Sequence, residues 1–337
     1  MKTKQALWTG IASAVAMLLI ILDARTALTG ASSGIDLCIK TVIPSLYPFF
    51  ILSNLISTSL VGRNIAALRP LGRLCGIPEG AESLMVLGFI GGYPVGARSI
   101  YQSYKSGVLR KEDAERMLGF CNNAGPAFIF GMVASLFSSP LIPWVLLASQ
   151  IVSAICVAAI LPNKSCSSCR VRLSKQINVT ALIEQSTKTM AVVCSWVVLF
   201  RIVIAFAQRW VFWLFAPALQ TIIVGLLELS NGCFVLHSIP CEGTRFILSA
   251  CFLSLGGLCV ALQTMSVIGD MNTRFLIAGK MLQCLFNLIT SIALRPVLFA
   301  EDMKLQHSIF LIIGAVIAVL IISFCLHSRK KVVAFIG

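Results

Sequence analysis

From residue 117 to residue 163 the chain runs for 47 residues without an Asp, Glu, Lys or Arg. As helix at ~1.5 Å per residue that is roughly 70 Å, enough for two crossings of a ~30 Å hydrocarbon core. Ser138-Ser139-Pro140 divides the run, and Pro140 marks the turn. With 58% hydrophobic and 12% charged residues among 337, the chain lies outside the range of soluble domains. The reading is an all-α polytopic membrane protein. Uncharged runs place about eight transmembrane helices, at residues 6–22, 41–61, 117–137, 141–161, 189–208, 246–269, 278–296 and 307–327. Lys2 and Lys4 precede the first. Asp23-Ala24-Arg25-Thr26 behind it lacks a small-x-small cleavage pattern, so an uncleaved helix is expected rather than a signal peptide.

Two further segments, residues 83–104 and 222–240, are too broken to cross simply. The first holds Gly88-Phe89-Ile90-Gly91-Gly92-Tyr93-Pro94-Val95-Gly96-Ala97, and a second interrupted run, Cys121-Asn122-Asn123-Ala124-Gly125-Pro126, follows it. Helix breakers and buried amides are costly in lipid, because no water satisfies the freed backbone groups. They persist where backbone lines a cavity or is buried in protein, and such broken segments point to a transporter's binding site.

The net charge of +14 invites a nucleic-acid partner, but the basic residues stand at the ends of apolar spans rather than on one soluble face. They follow the positive-inside rule instead. With both termini cytoplasmic and each broken segment entering and leaving on one side, 20 of the 27 basic residues fall inside, Lys280 among them. Residues 83–104 therefore read as a re-entrant hairpin, since a true crossing would export part of the cluster from Arg98 to Arg116. Thirteen cysteines lie mostly at apolar positions. Cys166 and Cys169 form a CxxC, but no second pair or nearby His completes a zinc site. No metal and no cofactor is expected.

The two halves of the chain resemble each other. Lys40-Thr41 opens the span 41–61 as Lys188-Thr189 opens 189–208; Pro70 corresponds to Pro217, Gly88 to Gly225 and Cys121 to Cys251. The first copy starts outside and the second inside. This arrangement is an inverted repeat with two re-entrant hairpins, each copy also holding one broken helix. The expected divisions are an N-terminal helix over 1–34, a first repeat over 35–137, and a connecting helix with a basic loop over 138–183. A second repeat over 184–270 and C-terminal helices over 271–337 complete the chain.

Val42-Ile43-Pro44-Ser45-Leu46-Tyr47-Pro48-Phe49-Phe50 resembles the "PSLLPFF" opening of the YlbJ-like sporulation integral membrane proteins. Residues 88–97, 109–120 and 122–131 resemble that family too, with Arg98 where it often has Lys. Gly225-Leu226-Leu227-Glu228-Leu229-Ser230-Asn231-Gly232 is similar to its "GLLExTNG", and Ser254-Leu255-Gly256-Gly257-Leu258-Cys259-Val260 to its "SFGGLCV". The resemblance runs in order over roughly residues 40–300. It implies the nucleoside-recognition, or Gate, domain, similar to concentrative nucleoside transporters. It also implies a role in endospore formation, with dipicolinic acid moved across a forespore membrane.

Glu228 is the sharpest single candidate, because an ionisable group at membrane depth is a functional hypothesis by default. Meeting water near the outer surface is the ordinary alternative. Asn122, Asn123 and Asn231 suit a polar ligand as well as a freed helix end. Gly91, Gly92, Gly256 and Gly257 permit tight tips and close approach of a ligand, or simply close helix packing. Tyr93 stacks on an aromatic ring or serves the turn, and Ser254 adds a hydroxyl. Arg201 attracts an anion or snorkels to the interface, and Gln263 is a polar group inside a helix. His237, His307 and His327 are far apart and no HExxH pair exists, so the chain is not expected to be an enzyme. The expected function is movement of a small polar, anionic solute across a bacterial cell membrane. The alternatives are a nucleoside transporter and a non-transporting sporulation scaffold. The expected partners are that solute and the lipid bilayer, and the sequence specifies no oligomeric state.

Overall fold

The computed structural model describes residues 2–60, 65–162 and 178–299, which are helical with no strand among them. Helix α1 (Lys2–Leu22) is followed by α2 (Ala24–Leu37), which Asp23 caps by accepting from the Thr26 amide at 3.2 Å. A π turn (Cys38–Val42) joins α2 to α3 (Ile43–Leu60). It stands just before Pro44, whose missing N–H removes the regular bond to residue 40. Then come α4 (Arg69–Leu74), α5 (Glu82–Ile90), α6 (Val95–Lys105), α7 (Lys111–Leu118), α8 (Pro126–Gly131) and α9 (Ile142–Ile160). The remainder is α10 (Val179–Trp210), α11 (Pro217–Leu227), α12 (Leu229–Val235), α13 (Glu242–Leu255), α14 (Gly257–Ile268) and α15 (Arg274–Leu298).

Five stretches are long and apolar enough to cross a membrane: Ala24–Ile56, Ile142–Ile160, Val179–Trp210, Glu242–Ile268 and Arg274–Leu298. Their outer faces carry Leu52, Leu199, Val203, Ile289 and Ile292, all exposed and apolar, as a lipid belt requires. Three expectations need correction. Residues 117–137 are not one crossing, because α7 ends at Leu118 and helix resumes only at Pro126, a residue suited to a first turn but not to a helix interior. The span expected at 41–61 is part of a longer apolar stretch that begins at Ala24. Lys40, read as opening that span, is accommodated on the helix, where it pairs with Asp36 at 3.4 Å. Lys280, counted as a cytoplasmic charge, is only 8% exposed inside α15. The expected crossing 307–327 and the pair Cys166 and Cys169 lie outside the described residues.

Both halves follow one order of elements: a long helix, two short helices folded back on each other, a broken helix, and another long helix. The fold-back rests on glycine. A Cβ on Gly96 would lie 3.1 Å from Gly88 Cα, and one on Gly232 only 2.4 Å from Gly225 Cα. Each hairpin then packs on the broken helix behind it, Gly88 against the Cys121 carbonyl and Gly225 against the Phe252 ring. Arg116 on α7 donates to the Cys75, Gly76, Ala158 and Leu161 carbonyls, while Arg245 on α13 serves those of Leu136, Ile239 and Pro240. Each arginine thereby satisfies backbone groups that a chain reversal leaves open.

The long helices of the two halves pack antiparallel. Gly30 on α2 abuts Ile202 and Ala205 of α10, Gly34 abuts Val198, and the Tyr47 hydroxyl meets Thr187 Oγ1 at 2.9 Å. Residue numbers rise on one helix as they fall on the other. Small residues at this spacing let the backbones approach closely.

Candidate functional site

The tips of both hairpins line one cavity of about 40 Å³. Gly91, Gly92 and Tyr93 come from the first hairpin, and Glu228, Leu229 and Ser230 from the second. Ala124 and Gly125, in the break between α7 and α8, and Gln263 on α14 complete its polar wall; Val193 and Val197 of α10 form an apolar side. Such a volume holds one or two waters, not an aromatic dicarboxylate or a nucleoside. The centre is the narrowest of the cavities.

Glu228 is the single extended residue (φ −148°, ψ 126°) between α11 and α12. Its carboxylate accepts from the Ser230 amide at 3.0 Å, the Asn231 amide at 2.6 Å and Asn231 Nδ2 at 2.7 Å. It is 2% exposed, and among the described residues no basic side chain is bonded to it; Arg201 lies within electrostatic reach. The local sequence explains this. An acidic residue before Ser230 and Asn231 becomes an N-cap, and its charge suits the positive end of a helix.

A buried polar network adjoins the first tip. Lys280 Nζ donates to the Tyr93 hydroxyl at 3.1 Å, to Asn123 Oδ1 at 3.3 Å and to Gln283 Oε1 at 2.9 Å. The Tyr93 hydroxyl in turn donates to the Leu253 carbonyl at 3.0 Å. Gln283 Nε2 reaches Asn123 Oδ1 at 2.9 Å and Gln150 Oε1 at 3.2 Å. Ser254 Oγ accepts from Gln150 Nε2 at 3.1 Å and Asn287 Nδ2 at 2.7 Å. Among the described residues no carboxylate bonds Lys280. A buried charge in lipid surroundings is tolerated only with such acceptors around it.

Gly91, Gly92, Tyr93 and Glu228 thus line the central cavity. Asn122 and Gly257 instead line a cavity of about 390 Å³ beside α14 and α15, where Lys280 also stands. There Asn122 Nδ2 donates to Thr264 Oγ1 at 3.1 Å, while its Oδ1 has no partner. Asn231 lines a separate cavity of about 310 Å³. Asn123, Ser254 and Gly256 belong to the framework; a Cβ on Gly256, which has φ 74°, would sit 3.3 Å from Tyr93 Cζ. The sequence reading missed Lys280, Gln150, Gln283 and Asn287. Their signal was there: amides and a lysine inside apolar helices, which lipid penalises.

Five long apolar stretches with an apolar perimeter define a multi-pass membrane protein. The chain is similar to the sporulation integral membrane protein YlbJ of Bacillus subtilis (strain 168), at 30% identity over 135 residues. The match takes in 39% of this chain and 32% of that protein, so it spans about a third of the relative's length. No family model matches the chain. No solved structure matches it.

Proposed function

We propose that the chain is a secondary transporter of the YlbJ-like, Gate-domain kind, moving a small anionic solute across a bacterial membrane during sporulation. In this reading it crosses the bilayer about eight times, and the two folded-back pairs α5–α6 and α11–α12 are re-entrant hairpins of an inverted repeat. The observation that carries the reading is the convergence of both hairpin tips, with the first helix break beside them, on one narrow cavity. Opposed broken elements of this kind build a midplane site in transporters. Lys280 supplies positive charge next to the first tip, and Glu228 faces the cavity from the second. Three N–H donors leave a carboxylate one further acceptor position, which suits a coupling proton or cation. Dipicolinate fits the family resemblance and the sporulation setting of the relative.

Purified protein in liposomes tests this. Uptake of dipicolinate in preference to nucleosides is the expected result. Nucleoside uptake instead would move the assignment to a nucleoside transporter. Uptake of neither, together with normal spores from a strain lacking Glu228 and Lys280, would favour a scaffold.

A further inference from the structure

Three cavities follow one another along α10. Lys188, Thr189 and Val192 line one of about 450 Å³, Val193 and Val197 the narrow central cavity, and Arg201 the one of about 310 Å³. From Thr189 to Arg201 is roughly 18 Å of helix at ~1.5 Å per residue. Other elements make the same succession. Gln263 lines both the 450 Å³ cavity and the centre, while Thr41 and Asn231 in the 310 Å³ cavity adjoin Val42 and Ser230 at the centre. Two wide clefts thus flank one narrow point.

Their charges repeat a pattern. In the 310 Å³ cleft Asp36 and Lys40 pair with each other, leaving the half-buried Arg201. In the 450 Å³ cleft Lys188 pairs with Glu184 at 2.7 Å, leaving the half-buried Arg98, which donates to Thr189 of α10. Among the described residues neither guanidinium has a carboxylate within salt-bridge distance. Each cleft therefore keeps one guanidinium without a salt-bridge partner next to the narrow centre, Arg201 with the Glu228 carboxylate within electrostatic reach. A guanidinium presents a planar fork of donors that matches a carboxylate, and a cleft of one sign concentrates ions of the other.

We propose that Arg98 and Arg201 are the specificity-determining charges of the two clefts, each receiving a small organic carboxylate before or after it passes the centre. This rests on the transport reading, and its test has a part that does not. Cys241 and the cysteines outside the described residues (Cys166, Cys169 and Cys325) are replaced by Ser. Into that background go single reporters, Gln102→Cys for the 450 Å³ cleft and Ser33→Cys for the other. The rate of labelling by an anionic methanethiosulfonate, divided by that of a cationic one, reads the local charge in nanodiscs without any transport. Arg98→Gln should lower this ratio roughly fivefold or more at Gln102→Cys and leave Ser33→Cys unchanged. Arg201→Gln should do the reverse, and Arg→Lys should keep both ratios. The unaffected reporter in each variant verifies that the protein has folded. A ratio unmoved at the adjacent reporter overturns the assignment even if dipicolinate is transported. Shifted ratios without uptake of any carboxylate remove the transport reading while upholding the two arginines as anion sites.

Discussion

Lys280 on α15 and Tyr93 at the tip of the first hairpin are joined by a 3.1 Å hydrogen bond, and the ammonium also stands 5.0 Å from the centre of the tyrosine ring. The tip is thereby tied to the second half of the chain twice, through Lys280 and through the Leu253 carbonyl. Tyr93→Phe removes the hydrogen bond to Lys280 Nζ and should cost about 0.5–1.5 kcal/mol of stability. Lys280→Met removes the charge along with the bond and should cost less. A double-mutant cycle in thermal unfolding should show coupling of about 1 kcal/mol or more between them. Strict additivity would mean that the bond carries no energy.

Glu228 is held by three N–H donors, which changes what its substitution does. The amide of Glu228→Gln cannot accept at both ends, so one donor at the start of α12 loses its partner. The expected cost is about 1–2 kcal/mol, confined to the second hairpin. Hydrogen exchange at Ser230 and Asn231 should quicken in this variant and stay as in the parent at the first hairpin. Unchanged exchange at both amides would contradict the capping role.

Gly232→Ala and Gly88→Ala should each fail to give a monodisperse protein in detergent. Their Cβ atoms would lie 2.4 Å from Gly225 Cα and 2.0 Å from the Cys121 carbonyl oxygen, and backbone has nowhere to retreat. Gly10→Ala, which meets nothing within 4 Å, serves as the control and should behave as the parent. Size-exclusion profiles decide it.

Cys241 lies just before α13 and is exposed. Hydrogen bonds from Thr244, through its side chain and then its amide, and from Arg295 bring the thiol down to about 7. A lowered pKa means more thiolate at neutral pH. Its alkylation rate should rise with pH around a midpoint near 7 rather than the ordinary value of about 8.5. Thr244→Ala should move that midpoint upward, and no movement would show that the helix end alone sets it.

The hairpins were legible because lipid makes breakers conspicuous: Gly91, Gly92 and Pro94 interrupt sequence that would otherwise be continuous helix. Their partners were legible for the same reason, since Gly88 and Gly225 recur at the start of each broken segment. Lys280 was not legible. Six residues from the start of α15, it reads as a boundary charge, and only the acceptors brought from Tyr93, Asn123 and Gln283 show where it sits. Lys40 misled in the opposite direction. It read as the start of a span because a charge count is blind to a pair made one helical turn apart, here with Asp36. Asn123 and Ser254 read as ligand groups; Asn123 Oδ1 accepts from Gln283 and Ser254 Oγ from Gln150, each across the two halves, while Asn123 Nδ2 is spent locally on the Phe120 carbonyl.

The glycine contacts between hairpin arms also constrain motion. With the arms approaching backbone to backbone at Gly88 and Gly96, and again at Gly225 and Gly232, no side chain between them can switch rotamer to let them part. Each hairpin is a stiff plank rather than a jaw. On the transport reading proposed above, any opening of the centre would have to move a whole plank, with Tyr93 or Glu228 riding on it as fixed cargo.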